Sequence, residues 1–281
     1  MPGAARPAHA RRRVIAVSAP RYTHGHHESV LRGHRWRTAE NSAAYLLPWL
    51  RPDQRLLDVG CGPGTITVDL AGRVGHVDAV EPTTAALELA RDHARSCRQH
   101  NLTFTTADVH ALPFADDTFD VVHAHQVLQH VADPVTALTE MRRVCAPGGL
   151  VAVRDSDYAT FTWYPADPEL DDWLRLYSAA ARANHGEPDA GRHLLAWAHA
   201  AGFVDVTAST DSWCFATVDD REYWGGMWAD RILHSALADQ LLADGTADHT
   251  KLQAISTAWR RWADHPDGWL AVLHAEVLCR A

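Results

Sequence analysis

No apolar run in the 281-residue chain approaches the length that a bilayer demands, and the longest candidates are broken by Pro48 or by charges. A membrane span is therefore not expected, and the protein reads as soluble. The five cysteines, Cys61, Cys97, Cys145, Cys214 and Cys279, are odd in number and widely spaced, with no Cys-x-x-Cys pair among them. That pattern excludes a disulfide framework and a structural zinc site, and it favours the reducing cytoplasm. A basic face is missing as well. The formal charge of −9 would repel a phosphate backbone, and beyond Arg11, Arg12 and Arg13 the basic residues are scattered, so nucleic acid is a poor partner. The apolar stretch after those arginines, Val14 to Val17, is too short for a signal-peptide core. Residues 1–20, rich in Ala, Pro and Arg, read as a disordered tail.

What is present is an alternation of strand and helix. Residues 21–50 read as a helical arm, with Ala39, Ala43, Leu46 and Leu47 on one face before Pro48 interrupts it. In residues 51–155, short apolar runs at Arg55 to Val59, His76 to Val80, Thr103 to Ala107, Val121 to His125 and Leu150 to Arg154 predict five strands. Helices are expected between them at Thr65 to Val74, Thr84 to Gln99 and from Asp133-Pro134 to Cys145, where Pro147-Gly148-Gly149 stops the last one. Residues 156–281 predict helices at Pro168 to Asn184, Asp189 to Ala201, Asp219 to Ala243 and Ala247 to Ala263, around strands at Val204 to Trp213 and Leu270 to Cys279. The expected architecture is α/β. It is a Rossmann-like, doubly wound, seven-stranded and mostly parallel sheet with helices on both faces and a helical lid. A ligand belongs across the carboxyl ends of the first strands.

A glycine loop sits at that place: Asp58-Val59-Gly60-Cys61-Gly62-Pro63-Gly64-Thr65, where a missing Cβ lets a ligand approach the backbone. Its Gly-x-Gly-x-Gly spacing differs from the Gly-x-Gly-x-x-Gly of dinucleotide enzymes, and Pro63 removes an N–H that a pyrophosphate cradle would use. A ligand without phosphates fits better. Glu81 ends the second strand, where a carboxylate can take both ribose hydroxyl protons of an adenosine. Asp108 closes the third strand, placed to accept from an adenine amino group. Three acids at consecutive strand ends suit a cationic sulfonium ligand better than an anionic pyrophosphate.

Together these residues resemble class I S-adenosylmethionine-dependent methyltransferases, especially the ubiquinone/menaquinone-biosynthesis type. The resemblance is carried by Leu57 to Gly64, Val80-Glu81-Pro82, Ala107-Asp108-Val109, Leu112-Pro113-Phe114, Thr118-Phe119-Asp120, Leu128-Gln129-His130-Val131 and Pro147-Gly148-Gly149. It covers roughly residues 50–155 and implies S-adenosyl-L-methionine as cofactor. It further implies that Asp58, Gly60 and Gly62 hold the methionine part, Glu81 the ribose, and Asp108 with Val109 the adenine, with Cys61, Gly64 and Pro82 also among the cofactor-binding residues. His125 and Gln126 would lie near the sulfonium. An N-terminal helix commonly closes over the cofactor in this family, so Arg37 would pair with the methionine carboxylate.

Methyl transfer is an in-line displacement at a carbon already activated by positive sulfur, so alignment and exclusion of water matter most. For an acceptor that must lose a proton, the candidate bases by position are His26, His125, Asp155, Asp157 and Tyr158. The segment Tyr22 to His27 invites a metal reading through His24, His26 and His27, but no carboxylate or cysteine completes a site, so no metal is expected. Aromatic residues crowd the second half. Trp224, Met227, Trp228 and Arg231 fall at helical spacing and read first as a core stripe, whereas Tyr158 and Trp163 follow the fifth strand and read as acceptor-pocket residues. The expected acceptor is a small molecule, aromatic or quinone-like. The alternatives are a nicotinamide-dependent oxidoreductase, which the loop spacing and Asp108 disfavour, and a protein that binds the cofactor without turnover.

Overall fold

The computed structural model describes residues 36–281, so the tail, His24, His26, His27 and the first half of the arm lie outside the described residues. Along the chain run α1 (Ala39–Ser42), β1 (Arg55–Val59), α2 (Thr65–Ala71), β2 (His76–Glu81), α3 (Thr84–Ser96), β3 (Leu102–Thr106), β4 (Phe119–His125), α4 (Pro134–Val144) and β5 (Cys145–Ser156). They are followed by β6 (Thr162–Tyr164), α5 (Pro168–Ala183), α6 (Leu194–Ala200), β7 (Val206–Phe215), α7 (Val218–His234), α8 (Ala236–Ala243), α9 (His249–Asp264) and β8 (Trp269–Arg280). Among the described residues no helix is long and apolar enough to cross a membrane.

The sheet has the order β3-β2-β1-β4-β5-β8, with β7 along the whole far side of β8. The pairs from β3 to β5 are parallel, and β8 runs antiparallel to its neighbours. Among the described residues the sheet has eight strands where seven were expected. The extra one, β6, pairs Thr162 to Tyr164 with Ala271 to Trp269, extending the edge that β5 occupies further along β8. Three residues are too few to show an alternating pattern in the sequence.

Other boundaries moved for local reasons. Pro147-Gly148-Gly149 does not separate α4 from a strand: it lies inside β5, where the register jumps from Phe119↔Cys145 to Val121↔Leu150. Gly148 takes φ +78°, and a Cβ on Gly149 would sit 2.8 Å from the carbonyl oxygens of Ala146 and Asp120, so this irregular strand start needs both glycines. The helix expected from Asp219 to Ala243 is two helices, because Ser235 is extended at φ −98°, ψ 171° and starts α8. Serine is favoured at such a position. In the described part of the arm only Ala39–Ser42 and a 3-10 turn at Leu47–Trp49 are helical. Thr38 and Asn41 cap α1 reciprocally, and Ala43 leaves the helical region at once.

Most of the tryptophans make a second core outside the sheet. Trp173 of α5 meets Trp228 of α7 and Trp259 of α9 edge to face, with ring centroids 4.5 and 4.9 Å apart. That core holds α5, α7 and α9 together, and α7 thereby becomes a wall beside the carboxyl ends of β4 and β5.

Candidate active site

The strand order reverses between β1 and β4, and the crevice at such a point is where ligands settle in an open α/β sheet. Here it is a cavity of about 920 Å³, at the upper end for a ligand pocket and roomy enough for a cofactor with a second molecule.

Its first half is built on β1, β2 and β3. The chain leaves β1 through Gly60, Gly62 and Gly64, all at positive φ. Gly60, Cys61, Gly62 and Pro63 line the cavity. The Gly62 N–H donates to Glu81 Oε1 over 2.6 Å, so the acid at the end of β2 fixes the loop. Burial pushes the Glu81 carboxyl up to about 7, against the lowering effect of the Gly62 N–H. Pro82, Asp108 and Val109 complete this wall. The side chain of Asp108 is 69% exposed, and its Oδ1 accepts from the His110 backbone N–H at 2.9 Å and lies 2.7 Å from His110 Nδ1. Those bonds, the backbone one first, hold its carboxyl below the ordinary range. Burial raises the Cys61 thiol well above its usual value, so it presents a neutral SH.

Gly64 does not line the cavity. A Cβ there would stand 3.0 Å from Ala90 Cβ and 3.1 Å from its Cα, so this glycine lets the loop seat on α3. With φ +83°, Gly64→Ala is expected to cost about 1–2 kcal/mol from backbone conformation alone, read as a lower urea midpoint. An unchanged midpoint would show that the loop relaxes around the methyl group.

Asp58 is buried and both of its oxygens are engaged: Thr67 Oγ1 donates to Oδ2 at 2.6 Å, and His123 Nδ1 lies 2.8 Å from Oδ1. In the neutral ring this leaves His123 Nε2 as an acceptor. That nitrogen is buried without a hydrogen-bond partner among the described residues, and His123 lines the cavity. Asp58 therefore addresses the site through His123. Sequence reading missed His123, although its position two residues before His125 on the same strand face was the available signal.

At the end of β4, Gln126 takes φ +54°. Its Oε1 accepts from Arg37 Nη2 at 2.6 Å, and its Nε2 lies 2.9 Å from His274 Nε2. The Arg37 guanidinium also sits 5.5 Å from the Trp213 ring centre. His125 is buried, lines the cavity and has no hydrogen-bond partner on either ring nitrogen among the described residues. Burial, then Arg37 and Arg154, pulls its imidazole well below the ordinary value, so it is neutral. His274 and Trp213 come from β8 and β7, far along the chain, and nothing in the sequence ties them to the glycine loop.

Behind this wall Arg154 is fully buried. It donates through Nη1 to Glu276 at 2.7 Å and to the half-exposed Asp211 at 3.1 Å. Glu276→Ala is expected to cost about 2–3 kcal/mol in a urea titration, below the full penalty of an orphaned buried charge because Asp211 remains. A loss below 1 kcal/mol would mean that water already solvates Arg154.

The second half of the cavity is aromatic: Tyr158, Phe161, Trp224, Met227, Trp228 and Val272, with Arg231 among them. The helical stripe Trp224, Met227, Trp228 and Arg231 thus serves both core and cavity. Two of the candidate bases from the sequence are not in the wall. Asp155 is buried beneath it, accepting from the Leu128 and Gln129 N–H groups at 3.3 and 3.1 Å. Asp157 is clamped by Arg192 Nε and Nη2, both at 2.6 Å. Neither is placed to take a proton from a molecule in the cavity. Trp163 packs on Trp173 instead, with ring centroids 6.3 Å apart.

Comparison with known proteins agrees with this architecture. Residues 50–223 match the model of a methyltransferase domain. An uncharacterised methyltransferase of Schizosaccharomyces pombe is 36% identical over 268 residues, which cover 92% of this chain and 95% of that protein. A ubiquinone/menaquinone biosynthesis C-methyltransferase of Ruegeria sp. is 36% identical over 151 residues, 52% of this chain and 58% of its own. The solved structure of Haemonchus contortus phosphoethanolamine N-methyltransferase 2, in complex with phosphomonomethylethanolamine and S-adenosylhomocysteine, superposes with a TM-score of 0.53 at 18% identity. The match covers 84% of this chain and 52% of that one. With the glycine loop, the acids at the strand ends and the antiparallel β8 in place, the chain belongs to the S-adenosylmethionine-dependent methyltransferases of class I.

Proposed function

We propose that this methyltransferase acts on a small aromatic or quinone-like acceptor held against α7. The observation that carries the reading is the division of one cavity into an acid-bearing half, at the ends of β1 to β3, and an aromatic half that adjoins it at His125. In this reading Gly60, Gly62 and, through His123, Asp58 hold the methionine part. Glu81 takes the ribose, Asp108 and Val109 the adenine, and Arg37 with Gln126 the region of the methionine carboxylate. S-adenosylmethionine supplies an activated methyl group. What the chain contributes is alignment of the two halves and a wall of apolar surface that excludes water. Of the base candidates in the described residues, His125 and Tyr158 line the cavity, and the neutral His125 is available to accept a hydrogen bond from an acceptor hydroxyl. Residues 156–281 act as the acceptor-binding part, and the arm at 21–50 as the cover over the cofactor. The five cysteines, none of them bridged, support a cytoplasmic location.

The test is incubation with S-adenosylmethionine and a panel of phenols, quinols, thiols and amines, followed by mass measurement of products. Formation of S-adenosylhomocysteine with a methylated aromatic compound is expected. Products confined to thiols or amines would overturn the acceptor class, and cofactor binding with no product from any compound would favour a binding protein without turnover.

A further inference from the structure

A chain of hydrogen bonds runs from the arm through the end of β4 to β8. Arg37 Nη2 donates to Gln126 Oε1 at 2.6 Å, and Gln126 Nε2 stands 2.9 Å from His274 Nε2. An arginine only donates, so the amide oxygen has to face Arg37 and the NH2 group has to face His274. That ring nitrogen must therefore accept, and the imidazole proton sits on Nδ1. With the amide reversed, NH2 would meet the guanidinium, donor against donor, and the charge-assisted bond would be lost.

His274 is the fixed end of this chain. It is fully buried, in register with Ser156 of β5 and Asp211 of β7, and its ring centre lies 4.2 Å from that of Trp213. Burial, then Arg154 and Arg37, hold its imidazole well below the ordinary value against the opposing effect of the Val272 carbonyl, so the ring is neutral and Nε2 keeps its lone pair. The backbone of Gln126 is fixed too, its N–H donating to the Arg154 carbonyl at 2.7 Å. What stays open is the rotation of the Gln126 amide, and among the described residues His274 is the group that selects its face. The arm meets the same strands by aromatic contacts: Trp213 Nε1 donates to the Asn41 carbonyl at 2.7 Å, and Trp36 packs edge-on against Trp213 with ring centroids 5.0 Å apart. Aromatic packing seats the arm, and Gln126 aims its arginine.

Resting on the reading above that Arg37 meets the methionine carboxylate, we propose that His274 is a positioning residue for cofactor binding: it orients the Gln126 amide, whose oxygen holds the Arg37 guanidinium at the methionine end of the cavity. In this role His274 acts through Gln126 rather than by contact with the cofactor. A guanidinium held in place before the cofactor arrives gives up less freedom on binding, and that saving is what the chain of bonds contributes.

The test is calorimetric titration of the full chain with S-adenosylhomocysteine. Arg37→Met is expected to weaken binding at least about tenfold, the effect of one charge-assisted hydrogen bond. His274→Leu, which removes the acceptor, is expected to weaken it about fivefold, and His274→Gln, whose side-chain oxygen can accept in place of Nε2, to bring it back within about twofold of the parent. Gln126→Glu removes the choice of face, since both carboxylate oxygens accept, so in that background His274→Leu is expected to change affinity less than about twofold. Merely structural damage by His274→Leu would be equally large in both backgrounds, and that outcome overturns the proposal. Parent-like affinity in His274→Leu overturns it as well. Should His274→Leu fail to fold in thermal unfolding, His274→Asn, too short to reach Gln126, takes its place in the cycle. Unchanged affinity in Arg37→Met strikes the carboxylate reading of Arg37 and the proposal with it, whereas a loss in Arg37→Met beside none in His274→Leu strikes the proposal alone.

Discussion

Replacing Glu81 by alanine is expected to weaken S-adenosylhomocysteine binding by at least a hundredfold. Two charge-assisted hydrogen bonds from ribose hydroxyls, at about 1.5–3 kcal/mol each, account for about 3–6 kcal/mol. The same carboxylate fixes Gly62 at 2.6 Å, so its removal also loosens the loop that approaches the methionine part. Calorimetric titration measures the effect, and thermal unfolding shows whether the variant is folded. A pH dependence follows from the raised Glu81 carboxyl, which sits at about 7 in the empty site. The ionised form accepts two hydroxyl protons and the protonated form fewer. Affinity is therefore expected to fall by up to about tenfold for each pH unit below 7, and to be flat across that window in Glu81→Gln. Unchanged affinity in a folded Glu81→Ala protein would place the ribose elsewhere.

Asp155→Asn is expected to stabilise the protein at alkaline pH. Asp155 is fully buried at the end of β5, and burial raises its carboxyl to about 7 against the opposing effects of the Gln129 and Leu128 N–H groups and Arg37. The folded value lies above the ordinary one near 3.9, so the native state retains a proton that the unfolded chain has released. The stability due to this group is complete below about pH 4 and is lost as pH rises towards 7, about 4 kcal/mol in all at 1.36 kcal/mol per unit. Asparagine cannot ionise. Urea titrations between pH 4.5 and 8 should show the gap between variant and parent opening as pH rises, in favour of the variant at pH 8. A gap that stays constant with pH would show that Asp155 does not titrate in this window. The buried His125 and His274, both held below their ordinary values, act in the opposite sense by destabilising the fold at acid pH. They titrate alike in parent and variant and cancel from the difference.

The first five strands, the glycine loop and the acids at the strand ends were legible in the sequence because each depends on neighbours a few residues away. Apolar runs of five to seven residues make parallel strands, and positive φ demands glycine at Gly60, Gly62 and Gly64. Glu81 was found for the same reason, since the end of β2 lies next to the end of β1 in any doubly wound sheet. The arm was read as a longer helix than its described part contains, because the apolar spacing of Ala39, Ala43 and Leu46 does not report the dihedral break at Ala43. Strand β6 was missed because its three residues borrow their pairing from β8.

Tertiary structure alone decided the rest of the site. It gave both oxygens of Asp58 to Thr67 and His123, drew Asp155 and Asp157 out of the cavity wall, and brought Trp213 and His274 against His125 from β7 and β8. It also turned a helical stripe that reads as core, Trp224 to Arg231, into the wall of a chamber. Backbone conformation is set by short-range sterics and hydrogen bonding, so the residues alone determined where the glycine loop leaves the sheet and which acids stand beside it. Which side chains face one another across that cavity depends on contacts between elements far apart along the chain, and only the packed fold specifies them.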